Sequence, residues 1–165
     1  MKKSRLAAVA AVLGWSLLAG VVLTLQAQGD SPIIISSSSL HIESAVPWAQ
    51  FKAQGNVKSH PQTNRSIPSI DLTVGTNAQT LNIGGQSCQV QVKYGATTLT
   101  VATGASGKGL SVATDFTAFQ PGSDGNHLDH VNGSQTISSI AVTKAGKNIF
   151  QGRPTGAVKI VIHYQ

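Results

Sequence analysis

Ser87-Cys-Gln-Val-Gln-Val-Lys-Tyr94 places Cys88, Val90, Val92 and Tyr94 two residues apart, with Gln89, Gln91 and Lys93 between them. Successive side chains of an extended chain go to opposite faces, so this stretch is a β-strand with one apolar and one polar face. The same period recurs on either side. Ile70, Leu72 and Val74 alternate with Asp71 and Thr73, followed by Leu81 with Ile83, Leu99 with Val101, and Leu110 with Val112. Phe116 and Phe119 are expected to cap the core. Ile137, Ile140 and Val142 slip by one residue in parity, which a β-bulge accommodates. Ile149-Phe150 and Ala157 to Tyr164 close the series, and Ile33 to Ile42 is a candidate first strand interrupted by Ser36 to Ser39.

Turn-forming residues separate these runs at short intervals: Gly75-Thr-Asn77, Gly84-Gly85, Tyr94-Gly95, Gly104 to Gly109, Pro121 to Gly125, Asn132-Gly133, Gly146 and Pro154 to Gly156. Many short strands with Gly-rich turns predict an all-β fold, a single antiparallel β-sandwich of Ig-like or jelly-roll-like type. One short helix is expected over Pro47 to Ala53, with Pro47 in its first turn, Trp48 and Phe51 on one face and Gly55 at its stop. Asn56 to Ser69, polar and containing Pro61 and Pro68, reads as a loop.

The N-terminus has a different composition. Lys2, Lys3 and Arg5 precede an uncharged apolar run from Leu6 to Leu25, and Gln26-Ala-Gln-Gly-Asp30 turns polar. Basic flank, apolar stretch and small residue at the break are the layout of an export signal, with cleavage expected after Ala27. Residues 1–27 are thus a signal peptide and 28–165 a single exported domain. The alternative is a retained signal anchor, because the run approaches the roughly 20 residues of a membrane-spanning helix. Either way the domain is extracytoplasmic, in the periplasm, on the cell surface or secreted, and touches membrane only through an uncleaved leader.

The chain has 12 Lys and Arg against 6 Asp and Glu, but three of the cations belong to the leader. The others, from Lys52 to Lys159, stand singly, so no nucleic-acid-binding stripe is present. Cys88 is the single cysteine and has no internal disulfide partner; its phase with Val90 and Val92 predicts a buried, inert thiol.

The densest polar group is Asp124-Gly-Asn-His-Leu-Asp-His130. Imidazole together with carboxylate suits a transition metal, so His127, Asp129 and His130 are candidate ligands, with His41, His60 or His163 available to complete a shell. A polar connection whose side chains stabilise turns is the plainer explanation of the same residues. Gly104 to Gly109 lacks the Ser or Thr and the leading Gly of a phosphate loop and reads as a hairpin connection. No serine stands in a Gly-x-Ser-x-Gly elbow, and no pair of carboxylates stands out for glycoside cleavage.

The C-terminal stretch Ala157-Val-Lys-Ile-Val-Ile-His-Tyr-Gln165 sets Val158, Ile160, Ile162 and Tyr164 on one face, with Tyr164 penultimate and Gly152 upstream. This resembles the C-terminal signature of chaperone–usher pilin subunits. The resemblance implies that Gly152, Val158, Ile160, Ile162 and Tyr164 belong to an assembly strand. It also implies that Ile33 to Ile42 is an extension completing a neighbouring subunit by strand addition. The expectation is therefore a non-enzymatic interaction or structural protein of the cell envelope, pilin-like in its assembly, partnered by another protein or by itself and needing no cofactor. The rival is a periplasmic metal- or small-ligand-binding protein using the segment from His127 to His130.

Overall fold

The structure is a computed structural model that describes residues 30–36, 41–43, 52–54, 57–59, 64–115, 119–121, 127–130 and 136–165. The expected signal segment, 1–27, lies outside the described residues. So do Trp48, Phe51, His60, Phe116 and Asp124. Among the described residues all regular structure is extended, and no helix is long and apolar enough to cross a membrane.

The strands in chain order are β1 (Asp30–Ser36), β2 (His41–Glu43), β3 (Lys52–Gln54), β4 (Val57–Ser59), β5 (Ser69–Val74), β6 (Asn77–Asn82) and β7 (Cys88–Tyr94). They continue with β8 (Thr97–Ala102), β9 (Ser111–Ala113), β10 (Phe119–Pro121), β11 (His127–His130), β12 (Ile137–Lys144), β13 (Lys147–Gly152) and β14 (Val158–Tyr164). One sheet has the order β10-β11-β2-β1-β14-β5-β6, the other β13-β12-β7-β8-β9-β4-β3. Every pairing is antiparallel. The expected sandwich is the observed fold.

Period-two alternation explains the core. In the first sheet, register aligns Ile33 with Ile162 and Ile70, and Ile35 with Ile160 and Leu72. In the second, Val92 lies opposite Leu99 and Ile140, and Val90 opposite Val101 and Val142. All of these are buried, together with Ile67, Ile83, Leu110, Val112 and Tyr164, in one apolar layer between the sheets. Each fully buried side chain of this size contributes about 1.5–3 kcal/mol, so the layer holds the fold without a disulfide. Cys88 is buried in it as expected, and desolvation pushes its thiol up to about 11, far from the reactive range.

Two-residue hairpin turns set the register of three strand pairs: Val74 faces Asn77, Tyr94 faces Thr97 and Lys144 faces Lys147. At the last of these, Ala145 and Gly146 both have positive φ, 48° and 74°. That is the left-handed pair needed for a turn whose twist matches the strands, and Ala145 accepts the strain beside an unencumbered glycine. The parity slip of Ile137 is the irregularity between Ile137 and Ser139 in the pairing with β7. A second irregularity, between Asp30 and Ile33, spans Pro32, whose ring nitrogen cannot donate to a ladder.

Three expectations are corrected. The candidate strand Ile33 to Ile42 is two strands, β1 and β2, which pair with each other antiparallel from Ser36 opposite His41 to Ile34 opposite Glu43. The polar serine run has no apolar alternation to continue β1, and the chain reverses across it. Lys52 and Ala53, expected at the end of a helix, are extended in β3, while the stretch expected as a loop contains β4. Short elements of this kind are decided by their partners: β4 pairs with β3 on one side and β9 on the other.

Candidate functional site

The outer faces of the two sheets differ chemically. On the second sheet, the non-core positions of β7, β8 and β12 include Gln89, Gln91, Lys93, Thr98, Thr100, Ala141 and Thr143. An open groove of about 370 Å³, lined by Thr97, Thr98, Thr100, Thr114 and Asp115 among others, lies on this side. Beneath it the Tyr94 hydroxyl and Thr114 hydroxyl share a buried hydrogen bond of 3.0 Å, and Tyr94 meets Phe119 edge to face at 5.6 Å. Burial pushes the Tyr94 phenol up to about 12, so it stays neutral. This end of the sandwich is packed structure, and Phe119 caps the core as expected.

The outer face of the first sheet carries a carboxylate–imidazole pair, Asp71 and His163. Register runs from Glu43 through Ile34 and Val161 to Asp71, one row across four strands, while Leu128 and Ile42 align in register with the buried Ile35. Asp71 and His163 alternate with the buried Ile70, Leu72, Ile162 and Tyr164 and so fall on the outer face.

At one end of that surface, Thr80 Oγ1 donates to Asp71 Oδ1 at 2.6 Å, and His163 Nε2 lies 2.7 Å from Asp71 Oδ2. The Thr80 hydrogen bond first, and His163 second, hold the Asp71 carboxyl below its ordinary value of 3.8 against a small desolvation cost. A lowered folded-state pKa means that Asp71 stabilises the fold above its unfolded pKa and ceases to do so as pH falls through the folded one. Both side chains are about half exposed, so solvent screening keeps the effect small. Asp71→Asn is expected to cost less than about 1 kcal/mol at pH 7. It should also flatten the loss of stability below about pH 4 in acid-denaturation curves. An unchanged acid limb would show that the pair contributes nothing.

At the other end, β2 and β11 pair antiparallel, with His127 opposite Glu43, Leu128 opposite Ile42 and Asp129 opposite His41. The segment expected to be a polar connection is thus a strand, and it carries all three candidate ligands. His127 and Asp129 pair in register with β2, whereas His130 pairs with the buried Phe119 of β10. The structure brings His41 and Glu43 to the first two instead. His41 was within reach of sequence reasoning as a distant ligand; Glu43 was not, because only the pairing of β2 with β11 makes it a neighbour. Among the side chains described, no group of three His, Cys, Asp or Glu is placed to hold a metal ion.

The assembly residues expected at the C-terminus are also placed. Val158, Ile160, Ile162 and Tyr164 are core residues of β14, which is paired on both sides, by β1 and by β5. Gly152 ends β13 in the other sheet, where an added Cβ would meet the Phe150 ring at 3.3 Å. Comparison of the chain with known protein families, curated proteins and solved structures finds no match.

Proposed function

We propose that the chain is an exported, non-enzymatic interaction or structural protein of the cell envelope that associates by strand addition, with β6 as the receiving edge. One observation carries this reading. Sheet edges display unpaired backbone groups, and proteins that must not associate protect them with lysine, proline or very short strands. β10 contains Pro121, β13 starts with Lys147 and β3 starts with Lys52. The remaining edge, β6, is Asn77-Ala-Gln-Thr-Leu-Asn82, with no charge, no proline and five of six residues exposed. Hydrogen bonding alternates along an antiparallel strand, and the closing pair of a two-residue hairpin is a bonded one. Ala78 and Thr80 therefore have their N–H and C=O groups on the side away from β5. Lys144 Nζ donates to the Asn82 carbonyl at 2.8 Å and marks where this edge ends.

The occupant that fits is β6 of a second copy, since an antiparallel edge pairs with itself about a two-fold axis and joins two sheets into one. Ala78→Pro removes one outward N–H without touching the ladder to β5, a substitution that edge strands tolerate. In analytical ultracentrifugation of the exported protein, the parent is expected to dimerise with rising concentration. The variant is expected to stay monomeric with an unchanged melting temperature. Equal association of the two proteins, or a parent that is monomeric throughout, would overturn the reading. The pilin-like version routes assembly through β14 instead, and since both its edges are occupied, an incoming strand there must displace β1.

A further inference from the structure

Cations that stand singly along the chain are gathered by the fold at one end of the sandwich. Four short segments meet there, 64–67, 83–87, 103–109 and 144–147. Gly85 donates to the Ile67 carbonyl at 3.0 Å, Gly109 to the Arg65 carbonyl at 3.0 Å and Ala145 to the Ser87 carbonyl at 2.8 Å, so each segment is tied to another. Of the nine Lys and Arg beyond the leader (12 less Lys2, Lys3 and Arg5), Arg65, Lys108, Lys144 and Lys147 lie on these segments. Lys108 and Lys147 are exposed. Lys144 reaches across the mouth of the sandwich, from the second sheet to the Asn82 carbonyl at the end of β6 in the first. The four segments contain no Asp or Glu. Two acids lie toward the same end: Asp30 is opposite Tyr164 in register, and Asp71 is engaged by Thr80 and His163.

Two further features of this pole concern what it meets. Its other exposed residues are uncharged and mostly small, among them Gly84, Gly104, Ala105 and Ser106, so a flat surface can come close to the amines. Ile149, two residues after Lys147, is the one large apolar side chain exposed among the described residues, at 39%. Cations beside an exposed aliphatic group match a lipid surface better than a soluble polyanion, because only the lipid has an apolar layer beneath its charge. The path of the chain agrees. β1 starts at this pole, since Asp30 is opposite Tyr164 and the next residue, Gln165, exchanges two backbone hydrogen bonds with Ser66, of 2.9 and 3.0 Å. Five residues lead from Leu25 to Asp30, at most about 18 Å of fully extended chain. A leader lying in a membrane therefore holds this end of the domain toward the lipid.

We infer that this pole is a docking surface for a membrane bearing anionic phospholipids. Lys108, Lys144 and Lys147 are the contacting cations, Arg65 adds charge behind them and Ile149 lies at their edge. Each basic residue near such a surface strengthens attachment about fivefold, and the attraction acts within the roughly 8 Å Debye length of physiological salt. The leader's part in this rests on the export reading; the gathering of the cations does not, and neither involves the β6 edge.

The test uses the full-length chain, leader included, reconstituted in vesicles of phosphatidylcholine alone or mixed with phosphatidylglycerol. Ser106→Cys puts a fluorophore at the basic pole and Thr155→Cys puts one at the opposite end, both at exposed positions. Cys88 is buried with its thiol pushed up to about 11, so the dye goes to the new cysteine. Quenching by spin-labelled headgroups is the readout. Quenching at Ser106→Cys is expected to be at least about fivefold stronger on the anionic vesicles than on the neutral ones, with little at Thr155→Cys on either. Salt near 1 M, where the Debye length is about 3 Å, should remove the difference without any further substitution. Lys108→Gln combined with Lys147→Gln is expected to weaken docking about 25-fold. Circular dichroism confirms that this variant is folded, and Ala78→Pro should dock as the parent does, which separates this result from association through β6. Equal quenching on the two lipids would overturn the inference, since the leader alone would then set the position. Parent-like quenching in the folded double variant, or equal quenching at the two ends of the domain, would overturn it too.

Discussion

Gly107→Ala is expected to melt about 10 °C below the parent. Gly107 has φ of +77°, and a Cβ there would lie 2.0 Å from the Gly85 carbonyl oxygen and 3.0 Å from the Gln86 carbonyl carbon. The obstruction is backbone, and neither loop can retreat. Gly85 donates to the Ile67 carbonyl at 3.0 Å and Gly109 to the Arg65 carbonyl at 3.0 Å, so both loops are pinned to the same segment. Within its own loop, Gly107 donates to Gly104 at 2.9 Å and Gly104 to Lys108 at 2.8 Å. Left-handed strain of about 1–3 kcal/mol and overpacking of about 1–3 kcal/mol add to roughly 3 kcal/mol or more. At about 2–4 °C per kcal/mol for a chain of this size, the shift follows. Gly146→Ala is the control, since it has the same sign of φ, +74°, but nothing within 4 Å. Scanning calorimetry that puts Gly107→Ala within about 3 °C of the parent would show that the loops part easily.

Deleting Asp30–Ser36 is expected to leave the remaining chain unable to fold at 25 °C. Ile33 and Ile35 are 0% and 4% exposed, and their burial is worth roughly 3–6 kcal/mol together. That is a large part of the 5–15 kcal/mol by which a domain is ordinarily stable. The deletion also removes the ladder on one side of β14 and the link to β2, so β10, β11 and β2 lose their attachment to β14, β5 and β6. A synthetic peptide spanning Gly29 to Ser44 should restore the β-sheet circular dichroism signal when added in trans. Rescue would mean that β14 accepts a strand from another molecule, the step that pilin-like assembly requires. A truncated chain that folds unaided would show instead that β1 is dispensable, and a chain that neither folds nor responds to peptide would count against exchange at β14.

The two deepest strands were legible because each carries its own evidence. Cys88 to Tyr94 and Val158 to Tyr164 alternate without a break, and both show the buried-exposed alternation that such a pattern demands. The bulge near Ile137 and the inert Cys88 followed from parity alone. β3 and β4 did not, since three residues are too few to display a period and the polar stretch that follows them, with Pro61 and Pro68, reads as loop. The break at Ser36 was visible as a weakness in a strand, but nothing local says that the chain there turns back on itself.

Alternation is a relation between residues two apart, so the chain by itself determined that this protein is all-β, which side chains form its core and where most hairpins turn. Which strands become neighbours is a relation between residues far apart in sequence, decided only when the apolar faces of all the strands are buried together. That decision puts β1 against β14 and leaves β6 at an edge, and it sets His41 and Glu43 opposite Asp129 and His127, a meeting of two short strands that no spacing along the chain encodes.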